Sequence, residues 1–140
     1  HAYHRRQRQM CIRDSAYSAG SHPAGYVHPL SIKTLEKNKI FLDNFKSQSW
    51  NDFSDINFDL VITVCDNAAG ETCPLYLKNT LKAHWGVADP AKFKGTEEEA
   101  EIEFLKVFNV LKKRCLALVQ NYKQNNLLNI DQIKEIGNLI

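Results

Sequence analysis

The feature that most constrains this chain is the continuous, mostly β-branched run Leu60-Val61-Ile62-Thr63-Val64. A run without polar alternation reads as a strand covered on both faces, as in a parallel sheet. Lys82–Trp85 reads as a second, shorter strand. Between them, Asp66 to Cys73 carries Asn67 and Gly70 and reads as a loop. Beyond the second strand, Gly86 to Lys94 forms another loop around the Asp89-Pro90 corner.

The helices announce themselves by their starts and their period. Thr96 with Glu99 makes a capping-box pattern, and Glu97 and Glu98 suit the positive end of a helix dipole. Phe104, Phe108, Leu111, Cys115 and Leu118 recur at helical spacing to about Tyr122, which makes Cys115 a buried, structural thiol on this reading. Gln124-Asn125-Asn126 breaks the pattern, and Ile130–Leu139 reads as a short terminal helix. Upstream, Pro29 is placed to open a helix through Leu35 to about Asn38. Ala16–Ala19 reads as the end of a strand, Gly20–Gly25 as irregular turns, and Lys46–Asn57 as a polar connecting loop or short helix. Strands alternating with helices imply an α/β fold with a small parallel sheet.

At 140 residues the chain is sized for one domain with a real core. No run approaches the roughly 18 apolar residues of a membrane span. The basic N-terminus is followed by no apolar segment of the secretory type. Four unevenly spaced cysteines do not make a secreted disulfide framework, so a reducing cytoplasm is the expected setting.

The formal net charge of +2 is misleading. Setting aside Arg5, Arg6, Arg8, Arg13 and Asp14 from the 18 basic and 16 acidic residues leaves 14 and 15, a net −1. The basic character therefore sits in the first fifteen residues, and no nucleic-acid face is expected in the rest. Arg5 to Ser15, RRQRQMCIRDS, is similar to the translation of a transposon-end sequencing adapter. The competing reading is a basic arm for nucleic acid or membrane. On the adapter reading, residues 1–15 are a non-native, disordered segment to be excluded from fold reasoning. Residues 16–122 then form the domain, and residues 123–140 an extension with a short helix.

In an open parallel sheet, ligands bind beyond the carboxyl ends of the strands. Cys65 follows one strand and Asp89 the next, so a thiol pair and a carboxylate are expected to share that edge. Cys65 and Cys73 lack a second close pair to complete a zinc site with His84. They sit oddly as inert core thiols in a polar loop. As a redox pair they fit, because a flexible loop lets two thiols reach disulfide distance. Their C-x7-C spacing is not diagnostic, and the alternatives stay open. Asp89 reads equally as a turn residue before Pro90. His84 and Trp85 read as packing residues, and neither His22 nor His28 has an evident partner.

VITVCDNAAGETCP, HWGVADP, GTEEE and YSAGSHPAG, in that order, resemble the arsenate reductases built on the low-molecular-weight tyrosine phosphatase fold. The resemblance covers about Ala16 to Tyr122, and more weakly the tail through Ile136-Gly137. It implies a three-layer fold in which a cysteine of a C-x5-R loop attacks arsenate. Asp89 then matches the general acid that protonates the leaving oxygen. Cys65 matches the resolving thiol, which attacks the enzyme–arsenic adduct, releases arsenite and forms a disulfide. Cys73 matches a third thiol that carries the oxidation outward. No bound cofactor or metal is implied; the partners are arsenate, arsenite and an external reductant, either thioredoxin or glutathione with glutaredoxin.

One element of that pattern is missing. Six positions after Cys11, Cys65, Cys73 and Cys115 stand Tyr17, Glu71, Asn79 and Asn121, none of them arginine. Without an amide cradle and arginine nothing binds an oxyanion or lowers a nucleophile's pKa. By resemblance the first strand and first helix are absent too, so the chain is expected to be inactive and less stable than a complete domain. The runner-up readings are a low-molecular-weight tyrosine phosphatase, which does not need two cysteines after the central strand, and a thiol-based arsenite or metal sensor, which gives Asp89 no role.

Overall fold

Two strands, β1 (Leu60–Thr63) and β2 (Leu81–His84), pair in parallel, with Leu60 opposite Leu81 and Thr63 opposite His84. They belong to a computed structural model that describes residues 15–65 and 74–140. Among the described residues three α-helices accompany them: α1 (Pro29–Lys37), α2 (Glu97–Asn125) and α3 (Ile130–Ile136). The α/β class with a small parallel sheet is thus the one expected. Among the described residues no helix is long and apolar enough to cross a membrane.

Alternation of side chains along each strand puts Leu60 and Ile62 on the same face as Ala83, and Trp85 continues that face beyond β2. This face is the core. Ala83, Trp85, Ile133 and Ile136 are buried together, with Leu60, Ile62, Ala117 and Leu118 packed against them. Trp85 is 2 % exposed, and its indole Nε1 donates to Ile133 O at 2.8 Å. Gly137 completes the seat of α3. A Cβ there would stand 2.7 Å from Trp85 Cδ1 and 3.1 Å from His84 O, so glycine is required by close approach. β1 is half-buried at all four of its residues, so neither face is as fully covered as its apolar run predicts.

The helix starts follow from their caps. Thr96 Oγ1 accepts from Glu99 N (3.2 Å) while Glu99 Oε2 accepts from Thr96 N (3.1 Å), the full capping box read from the sequence. Pro29 opens α1, where His28 Nδ1 accepts from Leu30 N at 3.1 Å. Asn129 Oδ1 accepts from the amides of Asp131 and Gln132 to start α3. Helix α1 docks on α2 through the His28 and Phe104 rings (centroids 4.8 Å apart) and through Glu101, which binds both Lys33 and Lys37.

Four expectations are corrected. Ala16–Ala19 forms no strand; the pairing comes one residue later, as an isolated parallel bridge between Gly20 and Ser49. Helix α2 runs on to Asn125, because polar residues at an exposed helix end do not by themselves break it. It stops at Asn126, whose φ of 50° is the left-handed cap that asparagine tolerates. Helix α3 ends at Ile136, short of Leu139. Finally, Cys115 is exposed, and the inward place in that turn belongs to Arg114, 5 % exposed. Of the expected stripe Phe104 is buried and Phe108, Leu111 and Leu118 are half-buried; only Cys115 faces out, because the side of this turn that meets the Trp85 and Gly86 carbonyls carries Arg114. Neighbouring side chains still withdraw water from Cys115, and this burial pushes its thiol up, away from the reactive thiolate.

Candidate active site

The strands continue to hold one another beyond their ends. Trp85 N donates to Thr63 O at 2.8 Å, and Val87 N donates to Val64 O at 2.9 Å. Cys65 comes directly after Val64, and Asp89 two residues after Val87. The carboxyl edge of the parallel pair therefore launches the thiol and the carboxylate from adjoining, hydrogen-bonded backbones. Both residues are exposed. Cys73 lies outside the described residues.

Asp89 has the local role that a turn residue would have. Its Oδ1 accepts from Ala91 N at 3.0 Å and caps the 3-10 turn Pro90–Lys92. This bond fixes the side chain at the head of the turn while leaving it in solvent, so the structural and the chemical reading are compatible. On the other face of the sheet, Thr63 Oγ1 and His84 Nδ1 are hydrogen-bonded at 2.8 Å across the register pair. His84 is thus an exposed, strand-bridging residue, and packing is left to Trp85. His28 has partners after all, capping α1 and packing on Phe104, and His22 bonds Ser21 at 3.1 Å.

Sequence reasoning missed Arg114. It closes the basic run Lys112-Lys113-Arg114, yet it is buried behind the edge. Its Nη1 donates to Trp85 O (3.0 Å) and Gly86 O (3.3 Å), and its Nε donates to Leu139 O (2.9 Å). The signal was available in part: Arg114 stands three residues after Leu111 and four before Leu118, the spacing of one helix face. As the only arginine after Arg13, it is committed to main-chain carbonyls and not to an oxyanion. Among the described residues no group of three or more His, Cys, Asp or Glu could hold a metal ion. Among the described residues, a shallow open groove lies on α2, away from the edge, lined by residues such as Asn109, Lys112, Leu116 and Gln120.

A parallel pair with Cys65 and the Asp89-Pro90 corner beyond its carboxyl edge, backed by a long capped helix, is an α/β unit. The pattern of the family described as low molecular weight phosphotyrosine protein phosphatase matches residues 2–128. The chain belongs to that family. Its similar curated relatives include the arsenate reductase of Halalkalibacterium halodurans, 34 % identical over 107 residues and 76 % of each chain. The arsenate reductase of Bacillus subtilis is 37 % identical over 109 residues, again 76 % of each chain. That of Bacillus licheniformis is 35 % identical over 100 residues, 71 % of this chain and 70 % of its own.

Proposed function

We propose that this protein is an arsenate reductase that reduces arsenate to arsenite through cysteine thiols. Cys65 is the resolving thiol, Cys73 the second redox thiol and Asp89 the general acid. The observation that supports the reading is the Val87–Val64 hydrogen bond, which joins the residue before Cys65 to the segment leading into Asp89. The names of the similar relatives support the same reaction.

In this mechanism a cysteine of a C-x5-R loop, a pattern these 140 residues do not contain, attacks arsenic, and Asp89 protonates the departing oxygen as it leaves as water. The Cys65 thiolate then attacks that cysteine's sulfur. The S–As bond breaks, its electron pair stays on arsenic, and arsenite departs as As(III) while the two sulfurs join. Cys73 exchanges into the disulfide and passes the oxidation outward. Thioredoxin, or glutathione with glutaredoxin, returns two electrons, which fits a cytoplasmic setting. Since no C-x5-R loop occurs in the 140 residues, this chain by itself does not turn over arsenate.

The alternative, a tyrosine phosphatase, draws on the family's description, but it leaves two thiols after β1 without a use. The discriminating experiment completes the chain with a strand, a C-x5-R loop and a helix upstream of Ala16, then replaces Cys65 by serine. A reductase should gain thioredoxin-coupled arsenate reduction and, as the Cys65→Ser variant, stall with arsenic bound. A completed chain that hydrolyses aryl phosphate, ignores arsenate and is indifferent to Cys65→Ser would overturn the proposal.

A further inference from the structure

Helix α2 carries a second apolar stripe that the core does not use. Ile102, Leu105, Leu116 and Val119 are each at least 41 % exposed. Asn109 and Lys112 stand between the two apolar pairs, Glu98 and Lys123 stand beyond them, and all four are exposed too. From Glu98 to Lys123 these positions alternate four and three residues apart without a break. That is the 3.5-residue period of a seam that meets another helix, here about 38 Å long at 1.5 Å per residue. The shallow groove on α2 opens on this seam, at Asn109, Lys112, Leu116 and Gln120.

The stripe is also a palindrome. Laid antiparallel on itself, it keeps its spacing, and Ile102 falls opposite Val119, Leu105 opposite Leu116, Asn109 opposite Lys112 and Glu98 opposite Lys123. Apolar residues then meet apolar ones, and the amide and the carboxylate each meet a lysine. Laid parallel, Glu98 and both lysines would meet their own copies, which repels. The whole helix has the same polarity, because every acid in it, Glu97 to Glu103, precedes every base, Lys106 to Lys123. Two antiparallel copies therefore set an acidic half against a basic half.

We propose that this face of α2 docks a second copy of the same chain, as an antiparallel helix pair about a two-fold axis between Asn109 and Lys112. Such a contact is self-complementary and closes at two copies. A single helix pair lies at the small end of specific interfaces, below about 1,200 Å², so the dimer is a reversible one. Its central Asn109–Lys112 layer fixes the register at a cost in affinity. The inference does not rest on the proposed arsenate chemistry.

The test is sedimentation velocity of the 140-residue chain over a concentration series reaching about 1 mM, with a thiol reductant present to exclude disulfide-linked species. The expected result is a reversible monomer–dimer equilibrium. Leu116→Gln should weaken the dimer about tenfold or more, and Asn109→Leu should tighten it about tenfold. Glu98→Lys sets lysine against Lys123 and should weaken it, and adding Lys123→Glu should restore it. Both charge changes oppose the dipole of α2, so the restored dimer cannot come from a firmer helix. Far-UV circular dichroism checks each fold; where a variant loses the parent signal, the comparison passes to Asn109→Leu, an exposed change to a better helix former. A chain still monomeric at about 1 mM, an assembly larger than a dimer, or a dimer indifferent to Leu116→Gln and Asn109→Leu would overturn the inference. So would a folded double charge variant that associates no better than Glu98→Lys alone.

Discussion

Asp89 combines two demands in one side chain, and single substitutions separate them. Asparagine keeps an oxygen for the Ala91 amide but has no proton to give, whereas alanine loses both. Asp89→Asn should therefore leave stability within about 0.5 kcal/mol, and Asp89→Ala should lose about 1 kcal/mol, the usual worth of such a cap. Urea unfolding of the 140-residue chain measures both. In the completed enzyme either change should slow arsenate reduction by about 10²- to 10⁴-fold, the range of general acid catalysis. Gly137 is the opposite kind of residue, defined by what it lacks. Gly137→Ala drives a methyl against the Trp85 ring at 2.7 Å and against two carbonyls at 3.0 and 3.1 Å. Overpacking here should destabilise by about 1–3 kcal/mol and alter the Trp85 emission. A melting temperature equal to the parent's would show that α3 shifts freely, against the seat described.

At the scale of elements, α2 depends on its cap and α1 on a charge cluster. Thr96→Ala removes the capping box and should cost about 1 kcal/mol, visible as a lower urea midpoint. The α1–α2 contact is pH-dependent with a definite sign. Glu101 lies between Lys33 and Lys37, whose hydrogen bonds hold its carboxyl down at about 2 from an ordinary 4.5. A carboxylate lowered on folding contributes above its unfolded value and loses that contribution as pH falls from about 4.5 towards about 2. The Glu101 carboxyl carbon, followed by NMR, should titrate near the lower value at low salt and move up when Lys33 and Lys37 are replaced by methionine. Because these groups meet solvent, added salt should shrink the difference. An ordinary midpoint in the parent chain at low salt would count against the cluster.

The elements were legible to unequal degrees, for physical reasons. β1, β2 and the start of α2 carry signals that local chemistry enforces: an unbroken β-branched run, and a threonine and glutamate three apart. The end of α2 carries none, since Gln124 and Asn125 tolerate either state and only the left-handed Asn126 decides. One turn of α2 is misread from the sequence: Cys115 is expected to be buried and Arg114 has no reading there, whereas Arg114 gains three carbonyl partners inside and Cys115 is exposed. The Gly20–Ser49 bridge joins segments with no strand pattern and was out of reach of periodicity.

At the scale of the whole molecule, the candidate site follows from topology more than from any one residue. A parallel pair sends both chain exits to one edge, and the Trp85 and Val87 amides keep those exits joined. That much was readable from two strands and the residues after them; the buried Arg114 behind the edge was not. The proposed function turns on Cys65 and Cys73 forming a redox couple. The most direct measurement oxidises the 140-residue chain and maps its disulfide by peptide mass spectrometry before and after reduction by thioredoxin or by glutathione with glutaredoxin. A Cys65–Cys73 bond that either reductant removes, with Cys115 still alkylatable throughout, is the expected result. Cys65 and Cys73 that stay as separate thiols, or a disulfide that takes in Cys115 instead, would contradict it.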